Sequence, residues 1–86
     1  MPKEHVWKER TAEGMRREVR AVRHAGRWRL QSRVEPLREW TYHDAPALAD
    51  LQELHALLKR KYSRKRASWD EVCEVDQLIK SHREAS

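Results

Sequence analysis

The chain has 86 residues, of which 38% are hydrophobic and 38% charged, with a formal net charge of +5 at pH 7. This length accommodates one small domain with a limited core, because a chain of this size buries only about 60–65% of its unfolded surface. No apolar run approaches the length of a membrane span, and the sole cysteine, Cys73, has no partner for an internal disulfide bond. The residues after Met1 also lack the apolar segment of a secretory leader, so we expect a cytoplasmic protein, or a nuclear one in a eukaryotic host.

The positive charge is confined to two segments. Residues 15–34 contain seven arginines and one glutamate, a net charge of +6, and residues 59–66 contain six cations and no acid. The other segments are neutral or acidic, with 0 for residues 1–14, −4 for 35–58 and −3 for 67–86. Such segregation is typical of surfaces that meet polyanions.

The first half of the chain has a mainly two-fold hydrophobic period, which indicates β-strands. Residues 27–34 alternate between apolar and polar side chains, and Gly26 supplies the positive φ that a short hairpin loop needs. We therefore predict a β-hairpin over residues 16–34. A helix over residues 12–33 is the alternative, which the glycine and the clean alternation disfavour.

Two registers of this hairpin stay open at the level of sequence. A two-residue turn places Glu18 opposite Arg33, a favourable pair. A three-residue turn places Arg23 opposite Arg27, and like charges in that position destabilise a sheet unless an anion lies between them.

Two further segments are strand candidates. Residues 38–42 are rich in β-forming side chains and predict a third strand with Trp40 and Tyr42 on one face. Residues 5–10 are a weaker fourth candidate, since residues 1–14 are either flexible or form this extra strand.

The second half has the 3.6-residue period of helices. Asp44-Ala45-Pro46 is a helix-start signal, with a capping side chain and a proline in the first turn, and the apolar stripe that follows extends to Tyr62. Ser68 and Glu71 have the spacing of a capping box, which predicts a second helix that ends near residues 81–82.

These elements predict one α+β domain: an antiparallel meander of three strands, or four with residues 5–10, followed by two helices packed on one face. Its segments are residues 1–14, the strands over 15–43 and a two-helix unit over 44–82. The expected core residues are Trp28, Leu30, Trp40, Leu51, Leu54, Leu58, Val72, Val75 and Ile79. All four tryptophans are expected to fill the core rather than to stack on bases, and Cys73 is expected to be a small buried hydrophobe.

The two basic segments are the candidate binding residues. Arginine, the only cation of the hairpin, suits bidentate contacts with phosphate or guanine; the alternative is a solvated sheet face whose charges keep the protein soluble. The six cations at 59–66 repel one another, which is unfavourable in a segment that only connects two helices, and this favours a binding role. Two alternatives are a solvated helix C-terminus, where the helix dipole favours cations, and a nuclear-localisation signal. The candidate nucleic-acid-binding residues are Arg20, Arg23, Arg27, Arg29, Arg33, Lys59, Lys61, Arg64, Lys65 and Arg66.

No sequence motif predicts catalysis, a metal or a cofactor. The histidines lack metal-ligand spacing, and no glycine-rich loop could cradle a phosphate. We therefore expect a non-enzymatic domain that binds nucleic acid of unknown type, mainly through backbone phosphates. The alternative is an adaptor that docks an acidic protein or forms a weak homodimer through a sheet edge, and no membrane partner is expected.

Overall fold

A computed structural model describes residues 3–43 and 45–85 and has an α+β fold, as predicted. A four-stranded antiparallel sheet is followed by two helices. The elements are β1 (Lys3–Arg10), β2 (Arg16–His24), β3 (Arg27–Val34), β4 (Thr41–His43), α1 (Leu48–Ser63) and α2 (Trp69–Ala85). The chain forms two compact units that divide between Ala45 and Pro46.

The sheet is a simple meander in which each strand pairs with its sequence neighbours, in the order β1-β2-β3-β4. The weaker strand candidate of the sequence is a full strand, because β1 pairs with β2 along its whole length, from Lys3 opposite Arg23 to Arg10 opposite Arg16. Gly14, with φ +83°, allows the tight turn between them.

The hairpin of β2 and β3 turns through two residues. Ala25 has φ +53° and Gly26 has φ +77°, and positive φ at both central residues is what a type I′ turn requires. Glu18 therefore lies opposite Arg33, with Arg33 Nη2 2.8 Å from Glu18 Oε1. Of the two registers that the sequence left open, the electrostatically favourable one forms.

The last strand is shorter than predicted and starts later. β4 begins at Thr41, so Trp40 precedes it, and β4 pairs only with Leu30, Gln31 and Ser32 of β3. Because β4 is short, residues 27–29 of β3 pair with β2 on one side only, and the other side of the strand is an open edge in the described sheet.

Alternation along the strands gives the sheet one buried face. Its most deeply buried side chains are His5, Val19, Ala21, Leu30 and Ser32. Val19 and Ala21, which are fully covered at the centre of β2, were absent from the predicted core, whereas Leu30 was part of it.

The expectation that tryptophan fills the core is wrong. Trp7, Trp28 and Trp40 are half-buried and Trp69 is exposed, so the predicted core residues Trp28 and Trp40 do not belong to the buried set. Small aliphatic side chains at the centre of the sheet take that role. Cys73, expected to be buried, is exposed as well.

The helical unit has its own core, which agrees with the prediction. Leucines of α1 and aliphatic residues of α2 form it, and Ala67 of the loop joins them. The buried apolar residues are Leu51, Leu54, Leu58, Ala67, Val72, Val75 and Ile79. Neither helix, within the described residues, has the length and apolar character needed to cross a membrane.

The start of α1 and the end of α2 differ from the prediction. α1 begins at Leu48 with Ala47 as its N-cap, and this alanine offers no side-chain hydrogen bond. Pro46 thus precedes the helix instead of occupying its first turn, and the proposed cap Asp44 lies outside the described residues. α2 continues to Ala85, past the predicted end near residues 81–82.

Candidate nucleic-acid interface

The sheet face opposite the buried one is rich in cations, and we call it the arginine face. Strand alternation and register assign its side chains. Its charged residues are Lys8, Arg10, Arg16, Arg20, Arg27, Arg29 and Arg33 as cations, and Glu4 and Glu18 as acids. Seven cations against two carboxylates leave this face strongly positive.

Trp40 organises the middle of the arginine face. The guanidinium carbons of Arg20 and Arg33 lie 4.6 Å and 4.8 Å from its ring centroid, within the range of cation–π attraction. Arg33 also donates from Nε to Glu18 Oε1 at 2.9 Å. Two predicted binding residues, Arg20 and Arg33, are therefore half-buried parts of the sheet's own packing.

The pairing of Arg20 is weaker than that of Arg33. Arg20 Nε lies 3.0 Å from Glu4 Oε1, which is an ion-pair distance. The geometry is not that of a hydrogen bond, because this buried nitrogen has no hydrogen-bond partner among the described residues. Both acids of the arginine face are thus placed against half-buried arginines.

Arg27 and Arg29 differ from that pair. Both are exposed, and they line an open depression of about 500 Å³ together with Val22 and His24. Two residues along a strand are about 7 Å apart. Neither arginine has an acidic partner in the described part of the chain, so both guanidinium groups are available to an anion.

The register also sorts the remaining hairpin arginines. Arg23 lies opposite Trp28 and on the buried side of the sheet, so it does not join the arginine face. In contrast, Lys8, Arg10 and Arg16 do join it, and sequence reasoning missed them. Their position depends on the pairing of β1 with β2, for which the sequence offers only a weak strand signal.

The second basic surface, which we call the basic segment, comprises residues 59–66 at the end of α1 and in the following turn. The helix ends in a Schellman motif: the Arg66 amide donates to the Lys61 carbonyl at 2.7 Å, and the Lys65 amide to the Tyr62 carbonyl at 2.9 Å. Lys65, with φ +61°, occupies the left-handed position that glycine normally fills in this motif.

One cation of the basic segment is tied to the fold. Lys61 is half-buried, and this burial lowers the pKa of its amine; the nearby Glu71 carboxylate opposes the shift and Arg66 adds to it. Glu71 itself is fully buried. Lys61 therefore sits where an approaching anion would favour its charged form.

Glu71 also fixes the end of the turn, as predicted. Its amide donates to Ser68 Oγ at 3.2 Å, while the Ser68 amide donates to Glu71 Oε1 at 3.3 Å, which is a capping box. The turn that displays the basic segment is thus held at both ends by backbone and side-chain hydrogen bonds.

The other five cations of the basic segment are exposed. Within the described residues none of them has an ion-pair or side-chain hydrogen-bond partner. They are Lys59, Arg60, Arg64, Lys65 and Arg66. Four of the five predicted binding residues in this segment, all but Lys61, are therefore free to meet an anion.

Two of the histidines have partners within the sheet. His5 stacks against Trp28 with ring centroids 5.8 Å apart, and His43 Nε2 lies 2.7 Å from Ser32 Oγ. No group of three or more histidine, cysteine or acidic side chains in residues 3–43 and 45–85 could hold a metal ion.

Comparison with known proteins adds no family. No family model, no curated protein and no solved structure matches this chain.

Proposed function

We propose that this chain is a non-enzymatic module that binds nucleic acid, mainly through backbone phosphates. The observation that carries the proposal is the set of five exposed cations in the basic segment, none with an internal partner among the described residues. Cations concentrated in this way release counterions when they meet phosphates, which is the main source of affinity in non-specific nucleic-acid binding.

The backbone of the turn supports this interpretation. A side chain with a Cβ in the left-handed region costs about 1 kcal/mol relative to glycine. Lys65 adopts this unfavourable backbone conformation and also adds positive charge beside Arg64 and Arg66. A glycine at this position would make the turn more stable. The presence of lysine instead is consistent with a role of its charge in binding an anion.

The arginine face supports the proposal in a second place. Its carboxylates, Glu4 and Glu18, lie against Arg20 and Arg33, which leaves Arg27 and Arg29 exposed. A planar guanidinium binds phosphate with two parallel hydrogen bonds, a geometry that lysine lacks.

Fluorescence anisotropy of labelled DNA and RNA, in single- and double-stranded form, tests the proposal at about 50 and about 200 mM salt. We expect binding that weakens steeply with salt. Replacing Arg64, Lys65 and Arg66 with alanine should lower the log–log salt slope on duplex DNA by about 2–3, because each lost phosphate contact contributes about 0.9.

The matched control uses single substitutions of equal charge. Arg38→Ala removes a cation outside both basic surfaces and should keep the wild-type slope, whereas Arg64→Ala should lower it by about 0.9. Absence of binding to all four nucleic acids at the lower salt concentration would overturn the proposal.

An adaptor role is the second candidate, and the open edge of β3 favours it. Residues 27–29 pair with β2 on one side and have no strand on the other within the described sheet, so a strand from a partner or a second copy could pair there. Sedimentation velocity over a wide range of protein concentrations tests this role. Dimer formation without nucleic-acid binding would favour the adaptor over the proposal.

A further inference from the structure

Two large aromatic side chains lie exposed beside the basic segment. Trp69 is 56% exposed and Tyr62 46% exposed. Their ring centroids are 5.2 Å apart with an interplanar angle of 54°, so the two rings form a tilted pair. A tryptophan with more than half of its surface in water is unusual for this residue type.

The pair is interleaved with the free cations. Tyr62 lies within the basic segment, and Trp69 follows Arg66 by three residues. Trp69 also lines a shallow groove of about 210 Å³, whose other lining residues are His55, Lys59, Val72, Cys73 and Asp76. Asp76 is ion-paired with Lys80 at 3.1 Å and not with Lys59. The amine of Lys59 therefore lines the groove without an ion-pair partner in the described structure.

Exposed rings among phosphate-binding cations match the chemistry of one ligand class. Proteins that bind single strands combine a positive groove with aromatic side chains on which unpaired bases stack. A duplex keeps its base faces inside the stack, so it offers phosphates to the cations but nothing to the rings.

We propose that the basic segment with Trp69 and Tyr62 binds single-stranded nucleic acid, with bases stacked on the two rings and phosphates held by the surrounding cations. This inference rests on the proposed function and specifies its substrate. Because every base has a π-face, binding is tolerant of sequence.

The decisive comparison separates bases from phosphates. Anisotropy competition is measured with oligothymidylate, with an abasic oligomer of the same number of phosphates, with a duplex of that length and with polyglutamate of the same charge. We expect the wild-type chain to prefer oligothymidylate over the abasic oligomer by about tenfold or more, since stacking on one aromatic ring contributes about this much per base.

Two substitutions at one position assign the effect to the ring. Trp69→Phe keeps a π-face, whereas Trp69→Leu keeps an apolar side chain without one. We expect the leucine variant to lose about tenfold in affinity for oligothymidylate and nothing for the abasic oligomer, and the phenylalanine variant to retain most of the affinity. Circular dichroism verifies folding; if Trp69→Leu is unfolded, Tyr62→Leu and the wild-type comparison decide.

Each result has one meaning. Equal affinity for oligothymidylate and the abasic oligomer, or tighter binding of the duplex, overturns the stacking inference and leaves phosphate binding intact. Tighter binding of polyglutamate than of oligothymidylate overturns it in favour of an acidic protein partner. Failure of every nucleic acid to bind overturns the proposed function itself.

Discussion

The guanidinium group of Arg33 lies over the indole ring of Trp40, with the guanidinium carbon 4.8 Å from the ring centroid. The same guanidinium is held by Glu18, so this arginine is bound from two directions. Arg29 lies on the same strand and the same face as Arg33, but it has neither an aromatic nor an acidic partner in the described structure. Of these two arginines, Arg33 therefore stabilises the sheet, whereas the guanidinium group of Arg29 is accessible to a ligand.

The different surroundings of Arg33 and Arg29 predict different effects of alanine substitutions on protein stability. Arg33→Ala should lower the free energy of unfolding by about 1–2 kcal/mol, because it removes a cation–π contact and a half-buried ion pair. Arg29→Ala should change it by less than about 0.5 kcal/mol, as is usual for an exposed residue, while weakening nucleic-acid binding. Urea unfolding and anisotropy measure the two effects; equal changes in stability would contradict the prediction.

The hairpin turn predicts a stabilising substitution. Ala25 has φ +53°, a conformation that favours glycine. Ala25→Gly should raise the free energy of unfolding by about 0.5–1 kcal/mol, since the left-handed strain is relieved. Ala25→Val provides the contrast, because a β-branched residue is a true outlier in that region, and it should destabilise the hairpin. Thermal unfolding of both variants checks the order Gly above Ala above Val.

Local periodicity was enough to predict most of the fold. The change from a two-fold to a 3.6-residue period separates the strands from the helices, and both signals depend only on near neighbours in sequence. The capping box of Ser68 and Glu71 was predictable for the same reason. The start of α1 was not, because Asp44 and Pro46 resemble a start signal while the helix begins two residues after the proline.

The binding surfaces were only partly predictable, because they depend on register. A slip of one residue moves every side chain of a strand to the other face. The placement of Arg23 on the buried side and of Arg16 on the arginine face follows from the two-residue turn and from the pairing with β1. The exposure of Trp69 had no local signal either, since its spacing from Val72 fits the buried stripe of α2.

The start of α1 provides another test of the fold. Its N-cap residue is Ala47, which makes no side-chain hydrogen bond to the first turn. Ala47→Asp should raise the free energy of unfolding by about 1 kcal/mol, because a carboxylate at this position accepts from a free amide and favours the helix dipole. Ala45→Asp is the control: it adds the same charge before the cap, so an equal gain would show that general electrostatics is responsible. Urea unfolding measures both.

At Lys65, we expect stability and nucleic-acid binding to favour different residues. Lys65→Gly places the residue preferred at φ +61° in the Schellman motif and should raise the free energy of unfolding by about 1 kcal/mol. The same substitution removes one of the cations that we propose bind phosphate, so the salt slope on duplex DNA should fall by about 0.9. Lys65→Ala loses the charge but keeps the Cβ, and it should show the reduced slope without the gain in stability. A glycine variant that is more stable and binds as well as the wild type would show that the strained lysine does not bind a polyanion, and the support that the turn's backbone gives to phosphate binding would be lost.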